Sequence, residues 1–146
     1  MKLLIINGPN LNFLGIREPN IYGSKSYKDL VEYLNSYSIE KNIELEVYQS
    51  NSEGAIIDKI QDSFMTNSNA IIINPGALTH YSYAIKDCIS SINIPVVEVH
   101  LTNIEKREDF RKFSVIKDVC INTFCGKHFE SYKEAIDYIM EKYAKT

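Results

Sequence analysis

The chain of 146 residues lacks several features that would place it in a specialised class of protein. Its three cysteines are odd in number and have no C-x-x-C spacing, which argues against a disulfide framework or a structural zinc site and favours buried thiols. Its 16 basic residues do not exceed its 19 acidic ones, so nothing favours a nucleic acid as partner. The first apolar run, Leu3 to Ile6, is too short for a signal peptide or a membrane span. We therefore expect a single domain over residues 1–146, located in the cytoplasm, with neither nucleic acid nor membrane as partner.

The motifs of several common ligand-binding and enzyme classes are absent as well. Neither G-x-G-x-x-G nor G-x-x-x-x-G-K-[ST] follows any predicted strand, and no G-x-S-x-G elbow supports a serine nucleophile. Arginine is scarce, because thirteen of the 16 basic residues are lysines, and Arg17, Arg107 and Arg111 all lie in polar segments. A guanidinium holds carboxylates or phosphates through two parallel hydrogen bonds, so these arginines favour an anionic ligand. The alternative is that they form surface ion pairs with neighbouring glutamates.

Apolar runs that alternate with helical patterns predict the fold. Strands are expected at Leu3–Ile6, Leu45–Tyr48, Ala70–Asn74, Val96–Leu101 and near Val119–Phe124. The segment from Asn7 to Gly23 has no helical period and predicts a long loop, which we interpret as a lid. Strands that alternate with helices form a parallel sheet covered on both faces. The predicted class is α/β, a flavodoxin-like three-layer sandwich with a five-stranded parallel sheet of order 2-1-3-4-5.

Apolar residues at helical spacing predict the helices between these strands. The stripes are Leu30, Val31, Leu34 and Ile39; Ile56, Ile57, Ile60 and Phe64; Ala84, Ile85, Cys88 and Ile89; and Ala135, Ile136, Ile139 and Met140. Three pairs predict helix caps: Ser26 with Asp29, Thr102 with Glu105, and Ser131 with Glu134. The second pair would begin a short helix with Arg107 and Arg111 on one face.

Polar side chains collect where the strands of the predicted sheet end. In the order 2-1-3-4-5 the first and third strands are neighbours at the switch point, where open α/β sheets bind ligands. Asn10, Asn74 and His80 are expected at that crevice, and Glu98 and His100 share one face of the fourth strand beside it. Glu98 would fix the tautomer of His100, which is suited to acid-base chemistry. A metal site built from Glu98, His100 and His80 is the alternative for these side chains, although the arginines favour an anion.

Tyr22 is a candidate base in the predicted lid. It follows Arg17 by five residues, and a nearby guanidinium would stabilise the phenolate. Together with the arginines and histidines, it indicates general acid-base chemistry on a small anionic substrate.

Four segments carry a family pattern. They read N-G-P-N-L-N-F-L-G-I-R-E-P-N-I-Y-G, Q-S-N-S-E-G-A-I-I-D, I-N-P-G-A-L-T-H-Y-S-Y-A-I-K-D, and E-V-H-L-T-N followed by R-E-D-F-R. In this order they resemble type II 3-dehydroquinate dehydratase (type II dehydroquinase). The resemblance implies a hydro-lyase that converts 3-dehydroquinate to 3-dehydroshikimate plus water by anti elimination through an enolate. That reaction is the third step of the shikimate pathway, which leads to the aromatic amino acids. The resemblance also implies no metal and no cofactor, and a homododecamer built from trimers.

The resemblance assigns roles to individual positions of this chain. It implies that Tyr22 is the base, that Arg17 supports its ionised form, and that Asn10 holds the water that stabilises the enolate oxygen. It also implies that His100, oriented by Glu98, protonates the departing hydroxyl. The positions that match substrate-binding residues are Asn74, His80, Asp87, Leu101, Thr102 and Arg111, with Arg107 in support. Among these, Asp87 matches the position through which a neighbouring subunit reaches the site.

One segment departs from the family pattern. After the fifth strand the family usually has G-x-x-x-G-x-G-x-x-G-Y, whereas this chain reads N-T-F-C-G-K-H-F-E-S-Y and keeps only Gly126 of the glycines. The resemblance therefore does not predict the backbone path from Asn122 to Ser131. The alternative function for the whole chain is a non-catalytic flavodoxin-like module that binds a flavin or a small anion.

Overall fold

A five-stranded parallel sheet forms the centre of the computed structural model, which describes residues 1–16, 20 and 24–143. The strands are β1 (Lys2–Asn7), β2 (Glu44–Gln49), β3 (Ala70–Asn74), β4 (Val96–His100) and β5 (Asn122–Cys125). They lie in the order β2-β1-β3-β4-β5 and all pair in parallel. The predicted fold class and strand order are confirmed. The predicted fifth strand began too early, because Lys117–Val119 forms a 3-10 turn before β5.

Helices cover both faces of the sheet. Those of the described residues are α1 (Tyr27–Glu40), α2 (Glu53–Met65), α3 (Tyr83–Ser90) and α4 (Phe129–Tyr143). Successive side chains of a strand point to opposite faces, so Leu3 and Ile5 pack in one core cluster with α1 and α4. Leu4 and Ile6 pack in a second cluster with α2 and α3. The result is the predicted three-layer sandwich.

Three residues that were predicted to face the core are exposed instead. Ile39 is 80% exposed and Phe64 is 46% exposed, and Ala84 is exposed as well. On α1 the buried face carries Leu30, and nine residues at about 100° each place Ile39 on the opposite side of the helix. Phe64 lies in the last turn of α2, and Ala84 lies in the first turn of α3.

One of the three predicted helix caps is confirmed. Ser26 caps α1 with both bonds of the capping box, from Asp29 N to Ser26 Oγ (3.1 Å) and from Ser26 N to Asp29 Oδ2 (2.9 Å). The cap predicted at Ser131 is wrong, because α4 already begins at Phe129 and Ser131 is buried inside it. The Ser131 hydroxyl accepts instead from the backbone N–H of Lys127, at 3.0 Å.

The segment after β4 is not the single short helix that was predicted. It forms two 3-10 turns, Ile104–Lys106 and Asp109–Arg111, and Asn103 rather than Thr102 caps the first of them. Arg107 ends the first turn in an extended conformation. Arg107 and Arg111 therefore do not share a helix face, and tertiary contacts decide where each guanidinium lies.

The loop after β1, interpreted as a lid, is described as far as Ile16 and at residue 20. Its first part forms a 3-10 turn at Leu11–Phe13. Leu11 and Leu14 are buried against the core cluster of α1 and α4, so this part is anchored to the domain. Arg17 and Tyr22 lie outside the described residues, and the lid itself stays a prediction.

The segment without the family's glycines makes a tight reversal between β5 and α4. Gly126 has a φ of 89°, and His128, where the family pattern has glycine, has a φ of 52°. A non-glycine residue in the left-handed region costs about 1–2 kcal/mol, which local contacts must offset. One such contact is the bond from His128 N to the carbonyl oxygen of Leu101, at 2.9 Å.

The three cysteines differ in burial. Cys88 is buried, whereas Cys120 and Cys125 are half-buried, so the expectation of buried thiols holds fully for one of them. Within the described ranges, no helix combines the length and the apolar character needed to cross a bilayer.

Candidate active site

A cavity lies above the carboxyl ends of β1, β3 and β4, at the switch point of the sheet. Its walls come from the loop after β1, the turn after β3, the end of β4 and the two 3-10 turns that follow it. The lining residues are Pro9, Asn10, Leu11, Asn74, Gly76, Ala77, His80, His100, Leu101, Ile104, Arg107 and Arg111. Most of the positions singled out in the sequence therefore meet in one place.

Two turns that both contain glycine and proline cross at the floor of this cavity. The Gly8 N–H donates to the carbonyl oxygen of Asn74 at 2.8 Å, and a Cβ at Gly8 would lie 2.4 Å from the carbonyl oxygen of Pro75. Gly76 has a φ of 60°, and a Cβ there would lie 2.9 Å from the carbonyl oxygen of Pro9. Only glycine fits so close an approach of backbone to backbone.

Asn10 is held at the cavity by residues at the end of β2. Its backbone is left-handed (φ 70°), a conformation that asparagine tolerates better than most residues. Its N–H donates to Asn51 Oδ1 at 3.0 Å. Gln49 Nε2 donates to the same oxygen at 3.1 Å and to the Gly8 carbonyl oxygen at 3.2 Å. Gln49 and Asn51 were not predicted to belong to the site, although the polar run Q-S-N-S that contains them was a usable signal.

Asn74 is buried beneath the cavity that it lines, with 3% of its surface exposed. Its Nδ2 donates to the Tyr132 hydroxyl at 2.9 Å, and its Oδ1 accepts from the Gly76 N–H at 3.3 Å. Tyr132 was not singled out by sequence reasoning. The two residues are 58 positions apart in the chain, so no local pattern could pair them.

Glu98 and His100 form a buried hydrogen bond at the end of β4. His100 Nε2 lies 2.5 Å from Glu98 Oε2, and the two residues are 6% and 0% exposed. His100 lines the cavity, whereas Glu98 does not. Glu98 affects the cavity only through its hydrogen bond to the His100 imidazole. Because Nε2 is used by the carboxylate, Nδ1 is the imidazole nitrogen left for a ligand.

His80 presents one defined nitrogen to the cavity. Its Nδ1 lies 2.8 Å from the carbonyl oxygen of Phe113, which can only accept, so Nδ1 carries the proton. Burial lowers the pKa of His80, and the positive charges of His100, Arg107 and Arg111 lower it further, against the opposing effect of the Phe113 bond. The imidazole is therefore neutral near pH 7, with Nε2 as a hydrogen-bond acceptor.

The two described arginines of the cavity have different partners. An Nη2 hydrogen bond joins Arg107 to the Thr102 hydroxyl, so Thr102, which does not line the cavity, contacts the site through Arg107. Arg111 Nε lies 3.2 Å from Glu108 Oε1, at ion-pair distance, and the guanidinium carbon lies 5.3 Å from the ring centre of Phe110. The surface ion pair considered for Arg111 is thus present, and the side chain still lines the cavity.

The remaining positions lie elsewhere. Asp87 is exposed on α3 and does not line the cavity. Arg17 and Tyr22 lie outside the described residues. No three His, Cys, Asp or Glu side chains within residues 1–16, 20 and 24–143 are arranged to hold a metal ion, so the alternative metal site is not assembled there.

This arrangement suits a small anion that carries hydroxyl groups. Two guanidinium groups offer charge-assisted donors, Asn74 and neutral His80 offer hydrogen bonds, and the Glu98–His100 pair can exchange a proton.

Comparisons with known proteins identify relatives of this chain. The family model described as Dehydroquinase class II matches residues 1–140. A curated 3-dehydroquinate dehydratase from Lachnoclostridium phytofermentans is 51% identical over 140 residues, which are 96% of this chain and 97% of that protein. The crystal structure of a type II dehydroquinase from Butyrivibrio crossotus matches with a TM-score of 0.94 and 54% identity, over 95% of this chain and 97% of that one. A type II dehydroquinase from Propionibacterium acnes matches with a TM-score of 0.92 and 36% identity, over 96% of each chain.

Proposed function

The chain belongs to the class II dehydroquinase family, and we propose that it is a hydro-lyase that converts 3-dehydroquinate to 3-dehydroshikimate and water. The family match over residues 1–140 carries this proposal. The reaction is the third step of the shikimate pathway and serves the synthesis of aromatic amino acids.

The first step removes the proton next to the substrate ketone. Tyr22 takes this proton as a phenolate, and Arg17 stabilises the negative charge of the phenolate. The electron pair of the C–H bond moves onto the ketone oxygen and forms an enolate. A water held by Asn10 donates to that oxygen. The contact from Asn51 to the Asn10 backbone supports this role, since it holds Asn10 at the cavity wall.

The second step expels the hydroxyl group on the opposite face. The enolate electrons form the new carbon–carbon double bond while the C–O bond breaks, and His100 Nδ1 gives a proton to the departing oxygen, which leaves as water. Glu98 holds the imidazole through Nε2 during the transfer. The hydrogen bond supports this role because it leaves the other nitrogen for the substrate.

The groups around the cavity bind the substrate. Arg111 and the backbone at Leu101 and Thr102 bind the carboxylate, and Arg107 supports the site by its bond to Thr102. His80 Nε2 accepts a hydrogen bond from a substrate hydroxyl because its Nδ1 is bound to a carbonyl. Asn74 binds a second hydroxyl through its carboxamide.

We also propose that the protein assembles as a homododecamer of trimers, in which Asp87 reaches the site of a neighbouring subunit. Large aromatic side chains on the surface beside α3 and the cavity support an interface there. Each is more than half exposed: Tyr81, Tyr83, Phe110 and Phe113. The chain acts as one domain over residues 1–146, in the cytoplasm, with no metal or cofactor.

An absorbance assay tests the function. The purified protein, mixed with 3-dehydroquinate, should produce a conjugated enone that absorbs in the ultraviolet. His100→Gln should lose most of the rate, and the matched variant His128→Gln should not, because His128 is exposed and lies outside the cavity. Absence of enone in the wild-type protein would overturn the proposal, and a visible flavin spectrum would favour the binding module.

A further inference from the structure

A chain of hydrogen bonds runs beneath the cavity, where β1 and β3 end side by side. Asn7 and Asn74 are partners in the register of these two strands. The Tyr132 hydroxyl, from α4, bridges them: it donates to Asn7 Oδ1 at 2.6 Å and accepts from Asn74 Nδ2 at 2.9 Å. Tyr132 and Asn7 are fully buried, and Tyr132 does not line the cavity.

The direction of each bond in this chain is defined. The Gly76 N–H can only donate, so Asn74 turns its Oδ1 to Gly76 and its Nδ2 to the Tyr132 hydroxyl. Asn7 Oδ1 then accepts the Tyr132 proton, and Asn7 Nδ2 donates to the Tyr27 hydroxyl at 3.4 Å. Tyr132 has one hydroxyl proton and gives it to Asn7 Oδ1, so toward Asn74 it can only accept. At the Asn74 end of this chain of hydrogen bonds, the Gly76 N–H donates to Asn74 Oδ1.

A flipped Asn74 carboxamide would break two of these bonds. While Tyr132 donates to Asn7, the flipped Oδ1 would face the lone pairs of the Tyr132 oxygen, and if the hydroxyl rotated to meet it, Asn7 Oδ1 would lose its donor. In either case the flipped Nδ2 would face the Gly76 N–H. Unpaired polar groups in a buried position cost about 1–3 kcal/mol each, so the flipped form is strongly disfavoured. The observed form leaves one N–H and one lone pair of Asn74 for a ligand.

We propose that Tyr132 is a positioning residue, which fixes the orientation of the Asn74 carboxamide so that its free N–H and free oxygen lone pair meet the hydroxyl groups of the substrate. The inference deepens the proposed function and rests on it for the identity of the substrate. Tyr132 touches no substrate atom and acts through Asn74.

The hydroxyl is well suited to hold this direction over a wide pH range. Burial raises the pKa of Tyr132 far above its ordinary value, and the bond from Asn74 opposes this only in part. The hydroxyl therefore keeps its proton at neutral and moderately alkaline pH and continues to donate to Asn7 there.

Steady-state kinetics distinguish a positioning role of the Tyr132 hydroxyl from a general packing role. Tyr132→Phe keeps the ring and removes the hydroxyl, and kcat/KM should fall about tenfold to a hundredfold, the equivalent of losing one or two oriented hydrogen bonds. The matched control is Tyr37→Phe, which removes a hydroxyl that bonds Asp137 between α1 and α4 and lies outside the cavity. An equal effect of both variants on kcat/KM would overturn the proposal.

A double-mutant cycle tests whether the effect passes through Asn74. The dissociation constant of the product 3-dehydroshikimate is measured by calorimetry for the wild type, Tyr132→Phe, Asn74→Ala and the double variant. Tyr132→Phe should weaken binding in the wild-type background and have no further effect beside Asn74→Ala. The same fold loss in both backgrounds would mean that Tyr132 acts by another route. If Tyr132→Phe folds poorly, Asn7→Ala serves in its place, because it removes the acceptor that sets the direction of the hydroxyl.

A nuclear magnetic resonance measurement is independent of activity. The side-chain NH2 signals of Asn74, assigned by their absence in Asn74→Ala, should exchange slowly with solvent in the wild type and faster in Tyr132→Phe. Unchanged exchange would contradict the positioning role. Failure of the wild type to convert 3-dehydroquinate would instead count against the proposed function, so the two failures can be told apart.

Discussion

The Nδ1 atom of His80 lies 2.8 Å from the carbonyl oxygen of Phe113, and this contact determines which nitrogen of the imidazole faces the cavity. The same histidine lies near His100 and two arginines, whose charges oppose its protonation. These two facts make His80 a hydrogen-bonding group rather than a source of protons.

His80 should titrate below its ordinary pKa of 6.5, because burial and the neighbouring positive charges disfavour the imidazolium. Its Hε1 resonance, assigned with His80→Gln, reports the midpoint. A folded pKa below the unfolded value contributes stability above pH 6.5 that is lost as the pH falls through the folded pKa. His80→Gln should therefore lose less stability between pH 7 and 5 than the wild type. A midpoint at or above 6.5 would contradict this assignment.

Glu98→Gln should lower kcat by at least about tenfold, a smaller loss than the hundredfold or more that removal of a general acid itself causes. The carboxylate bonded to His100 Nε2 is replaced by a neutral amide, whose oxygen can still accept the bond but whose lack of charge no longer stabilises a protonated imidazole. Steady-state rates are compared with those of Glu141→Gln, an exposed acid on α4. If Glu98→Gln behaved like the control, His100 would not depend on this carboxylate.

Borohydride added during turnover should leave the mass of the protein unchanged. None of the described residues that line the cavity is a lysine, so no amine is placed to form an imine with the substrate ketone. Intact-mass spectrometry of the reduced mixture provides the check. A stable adduct on a lysine would indicate a Schiff-base route instead of an enolate.

Tyr22→Phe should lower kcat about a hundredfold to ten-thousandfold, the usual effect of removing a general base, while KM changes little. Arg17→Lys should also be severe, since it keeps the charge but loses the planar fork. Initial rates of both variants are compared with those of Tyr138→Phe, a tyrosine of α4 outside the cavity. If Tyr22→Phe retained more than about a tenth of normal turnover, the base would have to be sought at His80 or His100.

Gly8→Ala should lower the free energy of unfolding by about 1–3 kcal/mol, as overpacking commonly does. Its Cβ would lie 2.4 Å from the carbonyl oxygen of Pro75, so the turns after β1 and β3 must move apart. Gly54→Ala is the control, because its Cβ meets only the Ser52 hydroxyl at 3.9 Å and alanine favours the helix. Urea denaturation measures both, and equal stability of the two variants would show that the turns adapt freely.

The sequence by itself determined the sheet and the position of the site. Buried strands appear as apolar runs such as Ala70–Asn74, and their alternation with helices leaves few topologies for a parallel sheet. Because the carboxyl ends of parallel strands lie at one edge, polar residues that follow those runs meet there. Asn10, Asn74, His80 and His100 do so.

Only the tertiary structure decided how these side chains are held. Arg107 and Arg111 were predicted to share a helix, but they lie in two separate 3-10 turns. Helix propensity is weak, and tertiary contacts outweigh it here. Tyr132 lies on α4, and the spacing of the apolar residues in that helix does not predict which groups its hydroxyl bonds. Its partners, Asn7 and Asn74, are 125 and 58 positions away in the chain. Local patterns report on neighbours within a few residues, whereas a buried hydroxyl finds its partners only when the whole sheet has formed beneath it.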